Sequence, residues 1–309
     1  MDVVVVGEPL VEFSADRALT EADTFRLSFS GDALNVAVAA AAAGARTALV
    51  ARLGEDEFGR RLLTFAARHG VDTRWMTPGP GSTGAYAVGA DPTGQRAFAY
   101  MRYGSAASRL SPADVAASPA ARARVLVLSG ITAALSADCD RAVREAARAA
   151  TGQVVYDANY RSRLTGPEAA AETLRAVAPY AAVVKISAPG DSRALVGTGD
   201  PAETLRRVRR LGAPAVAVTL GADGVLLDTG GAVHEIPAVP APVIVDQTGA
   251  GDNFTGAMAA WLAKGAPLLA AVRAGAAAAS VSLAGQGGTG RVAGAPEIES
   301  LLGDPVSGG

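Results

Sequence analysis

Short valine-rich runs alternate along the chain with longer alanine, leucine and arginine segments of helical period, the pattern of β and α units wound around a parallel sheet. The apolar runs Val3–Val6, Ala48–Leu53, Val125–Leu128, Val154–Tyr156, Val183–Ile186 and Ala215–Leu220 read as strands buried on both faces. The spacing between them predicts helices over Ala33–Ala43, Phe58–His69, Asp138–Ala150, Glu168–Val177 and Ala202–Leu211, and later ones over Asp252–Ala263 and Leu268–Leu283. Beyond Gly285 glycine dominates, and the last residues read as a frayed end.

Two stretches break this rhythm. Ala85–Val88 and Arg96–Met101 flank Asp91-Pro92-Thr93-Gly94, a turn signal between antiparallel strands, and Leu10–Phe29 lacks a helical period. The expected architecture is therefore α/β, a three-layer sandwich around a mostly parallel sheet, with a small antiparallel β lid from about 10–30 and 83–105. The whole of 1–309 is read as one domain carrying that lid.

Composition narrows the functions available. Half of the residues are hydrophobic and 19% are charged, the range of an ordinary globular protein. A net charge of −2 provides no basic field for a nucleic acid, so the expected partner is a small molecule. The single cysteine, Cys139, rules out an intrachain disulfide and a thiolate zinc site, and suits a reducing cytoplasm. His69 and His234 show no metal-ligand spacing and read as surface residues. Asp2 leads straight into Val3–Val6, which reads as a first strand and not as a signal peptide. No uncharged apolar run approaches the ~20 residues of a membrane span.

The most informative segment is Val243-Ile244-Val245-Asp246-Gln247-Thr248-Gly249-Ala250-Gly251-Asp252-Asn253-Phe254, an apolar run entering a glycine turn that opens a helix. Glycines let backbone approach a ligand, and N–H groups at a helix start bind anions. Asp252 is either a group with chemistry to perform or simply a helix cap, and the pattern alone leaves both open. The glycines at 249, 251 and 256 do not match the G-x-G-x-x-G of a dinucleotide turn, and no acidic residue follows at the distance needed to hold a ribose. The two lysines, Lys185 and Lys264, follow no glycine, which excludes a Walker loop. A second glycine turn, Val218-Thr219-Leu220-Gly221-Ala222-Asp223-Gly224-Val225, ends another strand and would alone be an ordinary hairpin.

These two turns, with Ser30-Gly31-Asp32-Ala33-Leu34-Asn35-Val36-Ala37 and Arg52-Leu53-Gly54-Glu55-Asp56-Glu57-Phe58-Gly59, resemble in kind and order the motifs of the ribokinase-like (PfkB) carbohydrate kinases. The resemblance runs from about Val3 to Gly288. It implies a sugar held between sheet edge and lid, with ATP and Mg²⁺ across the C-terminal strand ends. By resemblance Asp252 is the base, Gly249, Ala250 and Gly251 hold the transferring phosphoryl group, and Thr219, Gly221, Ala222 and Gly224 wrap the nucleotide. Asp246 and Thr248 would lie near a monovalent-cation site, K⁺ in many relatives. Ser187 stands where the family's N-x-x-E element begins, with Asp191 one place late, and Gly275 stands where relatives often have asparagine beside the adenine.

Within the family the chain is most similar to 2-keto-3-deoxygluconate kinases, on Gly7-Glu8, Tyr86, Tyr100 to Leu110 and Asp157-Ala158-Asn159-Tyr160-Arg161. This implies that Gly31, Asn35, Tyr86, Tyr100, Arg102 and Arg161 contact the substrate. Guanidinium groups suit a planar carboxylate, and a neutral sugar would not require two. The tryptophan common after the arginine in such kinases is absent here. The resemblance also implies a homo-oligomer formed through the lid. The alternatives are a kinase for a neutral sugar such as fructose, a nicotinamide oxidoreductase and a non-catalytic sugar-binding regulator.

Overall fold

A computed structural model describes residues 1–89 and 97–303. Among the described residues fourteen strands run in chain order as β1 (Val3–Val6), β2 (Leu10–Ala15), β3 (Arg26–Ser30), β4 (Thr47–Gly54), β5 (Val71–Asp72), β6 (Met76–Gly79), β7 (Ala85–Gly89), β8 (Ala97–Met101), β9 (Val125–Ser129), β10 (Gln153–Asp157), β11 (Val183–Ser187), β12 (Val216–Thr219), β13 (Val225–Asp228) and β14 (Val233–Ile236). The helices are α1 (Asp32–Ala42), α2 (Glu57–Arg68), α3 (Pro112–Ala116), α4 (Gly130–Ala133), α5 (Ala137–Ala149), α6 (Pro167–Val177), α7 (Gly190–Val196), α8 (Pro201–Arg210), α9 (Ala250–Ala263), α10 (Leu268–Ser282) and α11 (Ala295–Leu302).

The large sheet has the order β14-β13-β12-β11-β10-β9-β1-β4-β5, with β6 also on β4. Its strands are parallel from β12 to β5, and β13 and β14 close one edge antiparallel. In β1, Val3 and Val5 face the α1, α9 and α10 layer, and Val4 and Val6 face the layer of α5, α6 and α8. All four valines are buried, at about 1.5–3 kcal/mol each, so the continuous apolar run belongs to a strand covered twice. This is the three-layer sandwich that the alternation of patterns predicts. No described helix is long and apolar enough to cross a membrane.

The second sheet, β3-β2-β7-β8, is built from the two stretches that break the helical rhythm. β2 pairs antiparallel with β3 and β7 with β8, whereas β2 and β7 pair in parallel. The parallel pair follows from its connection, since the chain passes through α1 to β6 of the main body between them. The expected turn at Asp91–Gly94, and Arg96, lie outside the described residues. Asp56 caps α2 by accepting from Gly59 N at 2.8 Å, and also accepts from Thr83 N at 2.7 Å. It thereby ties the start of α2 to the segment that enters β7.

Candidate active site

A cavity of about 550 Å³ lies where the C-terminal ends of the parallel strands meet the second sheet. In open parallel sheets this is the end at which ligands bind. The N-terminal turn of α1 contributes Gly31, Asp32 and Asn35, and the turn into α9 contributes Thr248, Gly249, Gly251 and Asp252. From β11 comes Lys185, from the loop after β10 come Asn159, Arg161 and Arg163, and the second sheet side adds Tyr86, Phe98, Tyr100 and Arg102.

The start of α9 bears on the helix-cap reading of Asp252. Gly249 is the N-cap and is left-handed, with φ of 78°, which a residue with a side chain adopts at a cost. A Cβ there would also lie 2.4 Å from Gly288 Cα. Asp252 therefore sits inside the first helical turn and caps nothing. Its Oδ2 instead accepts from Asn35 Nδ2 at 2.8 Å, joining residues 217 apart in sequence. The helix begins two residues earlier than its apolar period predicts, because Ala250 and Gly251 carry no pattern that separates turn from helix. The N–H groups of Gly251 and Asp252 belong to the first turn, where no intrahelical acceptor exists.

Charge is concentrated behind this turn. Loss of hydration, the carboxylates of Asp32 and Asp157, and the opposing pull of Asn35 and Lys185 leave the Asp252 carboxyl raised to about 7. Burial likewise raises Asp32, against a hydrogen bond from Ser129. Asp32 belongs to a quoted motif, yet its part in the site was not foreseen. The pattern gave no sign that it shares the cavity with Asp252. Lys185 is buried on β11, with Nζ 2.7 Å from Asp157 Oδ2.

Asp246 is 2% exposed and acts as a bracket. Its Oδ1 accepts from Thr248 N at 2.7 Å, and its Oδ2 accepts from Gly287 N at 2.8 Å and from Gln286 Nε2 at 3.0 Å. The turn into α9 and the glycine-rich 285–290 segment are thus held together by one carboxylate.

On the second sheet, Tyr86 donates its hydroxyl to Glu12, which is 1% exposed and also accepts from Ser28 Oγ at 3.0 Å. Arg102 is buried and ion-paired with Glu8, whose Oε1 also accepts from Ser105 Oγ at 3.0 Å. Burial pushes Glu8 up to about 7, with Arg102 and Ser105 pulling the other way. Arg161 is exposed at the cavity and donates to Tyr160 O at 2.9 Å. Arg163 was not singled out from the sequence. It spans from the loop after β10 to Phe98 O on β8, at 2.7 Å.

The residues singled out for nucleotide form a separate group. Thr219 ends β12, Gly221 and Ala222 lie in a short 3₁₀ turn, and Gly224, with φ of 91°, starts the return into β13. None of these four lines the 550 Å³ cavity. Ser187 Oγ donates to Asp191 Oδ2 at 2.7 Å, while Asp191 also accepts from Ser187 N at 2.9 Å and Tyr160 N at 2.8 Å. Asp191 thus serves the local backbone. Gly275 is buried in α10, and a Cβ there would come within 2.8 Å of Phe254 O and 2.9 Å of its ring. Its position is explained by close packing of α10 on α9. Val243, Ile244 and Val245 form no strand and are 54%, 61% and 50% exposed.

A carboxylate near neutrality, a helix start facing the same space and a wall of cations suit the transfer of an anionic group to a hydroxyl. The pfkB family carbohydrate kinase pattern matches residues 1–292, and the chain belongs to that family. It is 36% identical over 262 residues to the 2-dehydro-3-deoxygluconokinase of Thermoproteus tenax, covering 83% of this chain and 80% of that one. It is 34% identical over 240 residues to a fructokinase of Klebsiella pneumoniae, covering 75% and 76%. The crystal structure of a PfkB protein from Polaromonas sp. JS666 superposes with a TM-score of 0.84 at 29% identity, covering 97% of this chain and 99% of that one. The protein is a carbohydrate kinase.

Proposed function

We propose that the chain transfers the γ-phosphoryl group of ATP to the primary hydroxyl of 2-keto-3-deoxygluconate, giving the 6-phosphate. The observation that carries this reading is the cavity that has Asp252 bonded to Asn35 on one wall and Arg102, Arg161 and Arg163 on the other side. The substrate oxygen attacks the γ-phosphorus, its proton passes to Asp252, and the bond from that phosphorus to ADP breaks, with ADP keeping the electron pair. The amides around Gly249, Ala250 and Gly251 steady the phosphoryl oxygens. Asp32 and Asn35 orient the sugar hydroxyls, and Gly31 lets the sugar lie close to the start of α1. Tyr86 and Tyr100 cover the ring from a lid made of 10–30 and 83–105, within one kinase domain spanning the chain.

The carboxylate of the substrate is assigned to Arg161 and Arg163 together with Arg102. Since Glu8 already balances Arg102, the first two carry most of the discrimination. The nucleotide is assigned to Thr219, Gly221, Ala222 and Gly224, with the exposed Val243–Val245 run as an apolar surface for its base. Ser187 acts on this side through Asp191, and Gly275 through the packing of α9.

Among the described residues no three carboxylate, histidine or cysteine groups converge as a metal site, and Asp191 is committed to backbone. The described residues therefore do not form a cage for Mg²⁺, an ion that binds with few protein ligands when phosphates supply the rest. A K⁺ ion beside Asp246 and Thr248 is part of the same reading, tested by activity in potassium against tetramethylammonium salts. Phe25, Tyr100, Met101 and Tyr103 are exposed apolar groups on or beside the second sheet, which supports association of two copies there. The buried, unpaired Cys139, pushed up to about 11 by burial, suits a cytoplasmic setting. ADP release measured over sugar acids, ketoses and nucleosides tests the whole reading. A preference for ketoses would make the protein a neutral-sugar kinase.

A further inference from the structure

Lys185 follows no glycine, and nothing about it in the sequence marks it for phosphate. In the fold it is 6% exposed, yet it lines the cavity on the Asp252 side. One N–H of its Nζ goes to Asp157 Oδ2 at 2.7 Å, and among the described residues Nζ has no second acceptor. A Cβ built on Gly251 would lie 3.3 Å from Nζ, so the ammonium stands against the open flank of the turn that starts α9. Its anchor is itself fixed, since Thr255 Oγ1 lies 3.1 Å from Asp157 Oδ2 and 2.9 Å from Gly251 O. Burial acts against the charge, but Asp157, Asp191 and Asp252 outweigh it and keep Lys185 protonated. The arginines at the cavity approach from the second sheet and the loop after β10, so Lys185 is the cation at the turn itself.

Resting on the kinase reading of this site, we propose that Lys185 is a catalytic residue, its ammonium donating to a non-bridging oxygen of the γ-phosphoryl group as that group moves from ADP to the substrate oxygen. The lysine keeps its proton throughout, and the proton of the substrate hydroxyl still goes to Asp252. Asp157 is the positioning residue that aims the ammonium.

The competing role is a counter-ion for Asp157, and a double variant separates the two. Lys185→Met should lower kcat by roughly 10²-fold, the size of effect seen when one donor to a transition-state oxygen is lost. Lys185→Met with Asp157→Asn removes both charges, relieves the buried carboxylate and should stay equally impaired. ADP affinity should be unchanged in the double variant, while its complex with ADP and aluminium fluoride should weaken by a similar factor. Recovery of the original kcat, or unchanged affinity for ADP with aluminium fluoride, would overturn the proposal and leave Lys185 as a counter-ion. Asp252→Asn is measured alongside. If it stays active, the site reading itself fails, whereas an inactive Asp252→Asn beside a fully active double variant removes only the role of Lys185.

Discussion

The wall that carries Asp252 is held by helices packed through alanine and glycine, whereas the wall that carries Tyr86 and Arg102 is a four-stranded sheet pinned by a few buried charged groups. In the first, α9 packs on α1 and α10 along almost fully buried faces, and Asn35 bonded to Asp252 is a long-range polar link at the cavity. In the second, Tyr100 and Met101 are 40% and 52% exposed, and order comes from Glu12 under Tyr86 and Glu8 under Arg102. Close packing leaves few voids and gives way little, while buried charge pairs hold only as long as both partners are present. On the proposed reading, the helical wall carries bond making and the sheet wall carries the choice of substrate.

The comparison breaks most sharply at Asp252. Asp252→Asn should retain ATP and sugar binding and lose roughly two to four powers of ten in kcat. Near-normal turnover would reduce Asp252 to a structural partner of Asn35. In the unaltered enzyme, kcat/KM should climb with pH through a limb near 7, since the base must be deprotonated and its carboxyl is raised to about 7. A limb in the ordinary carboxylate range would contradict that assignment.

Arg102→Met should cost stability before it costs selectivity, because it strands Glu8. Breaking a buried pair is worth about 3–5 kcal/mol, though Glu8 can take up a proton in answer. The raised carboxyl of Glu8, about 7 against an ordinary 4.5, fixes the sign. Native protein holds the extra proton between those values, so stability is fullest below the lower one and falls as pH rises through the higher. The Tm deficit of Arg102→Met should therefore widen from mildly acidic to mildly alkaline buffer, and a deficit independent of pH would exclude Glu8 as its origin.

Arg161 has no buried partner to strand and gives the cleaner test of substrate choice. Arg161→Met should lower kcat/KM for 2-keto-3-deoxygluconate about tenfold or more, since a charged hydrogen bond is worth ~1.5–3 kcal/mol, and leave a ketose unaffected. Equal losses on both would move the arginine to a role in folding or nucleotide binding. The smallest effect is expected at Gly275. Gly275→Ala should cost about 1–3 kcal/mol by overpacking against Phe254, without a selective change in KM for ATP. A selective rise in that KM at unchanged Tm would return Gly275 to the nucleotide.

The layered fold was legible because valine runs and helical periods are local signals, and Val3–Val6 shows both the strand and its double burial in four residues. The hairpin of β13 and β14 went unread past Gly224, because Val233-His234-Glu235-Ile236 has only one buried residue and little alternation. The motif glycines and Asp252 were legible from their spacing. Less so were the charges that surround them, since Lys185 and Asp157 meet Asp252 through the order of strands in the sheet and Asp32 through the packing of α1 on α9, not through sequence proximity. The partner of Arg102 was equally hidden, as Glu8 reaches it from the far end of β1.

The parallel pairing of β2 with β7 bears on how the chain emerges during translation. β2 and β3 can meet as soon as they are made, but the other edge of β2 has no partner until everything from α1 through β6 has been synthesised. An unpaired edge invites pairing with another chain. Val11, which pairs with Ala85 and is buried in the finished protein, is an apolar residue on that edge strand. A nascent chain that ends before Ala85 therefore still lacks the strand that covers the second edge of β2 in the finished protein.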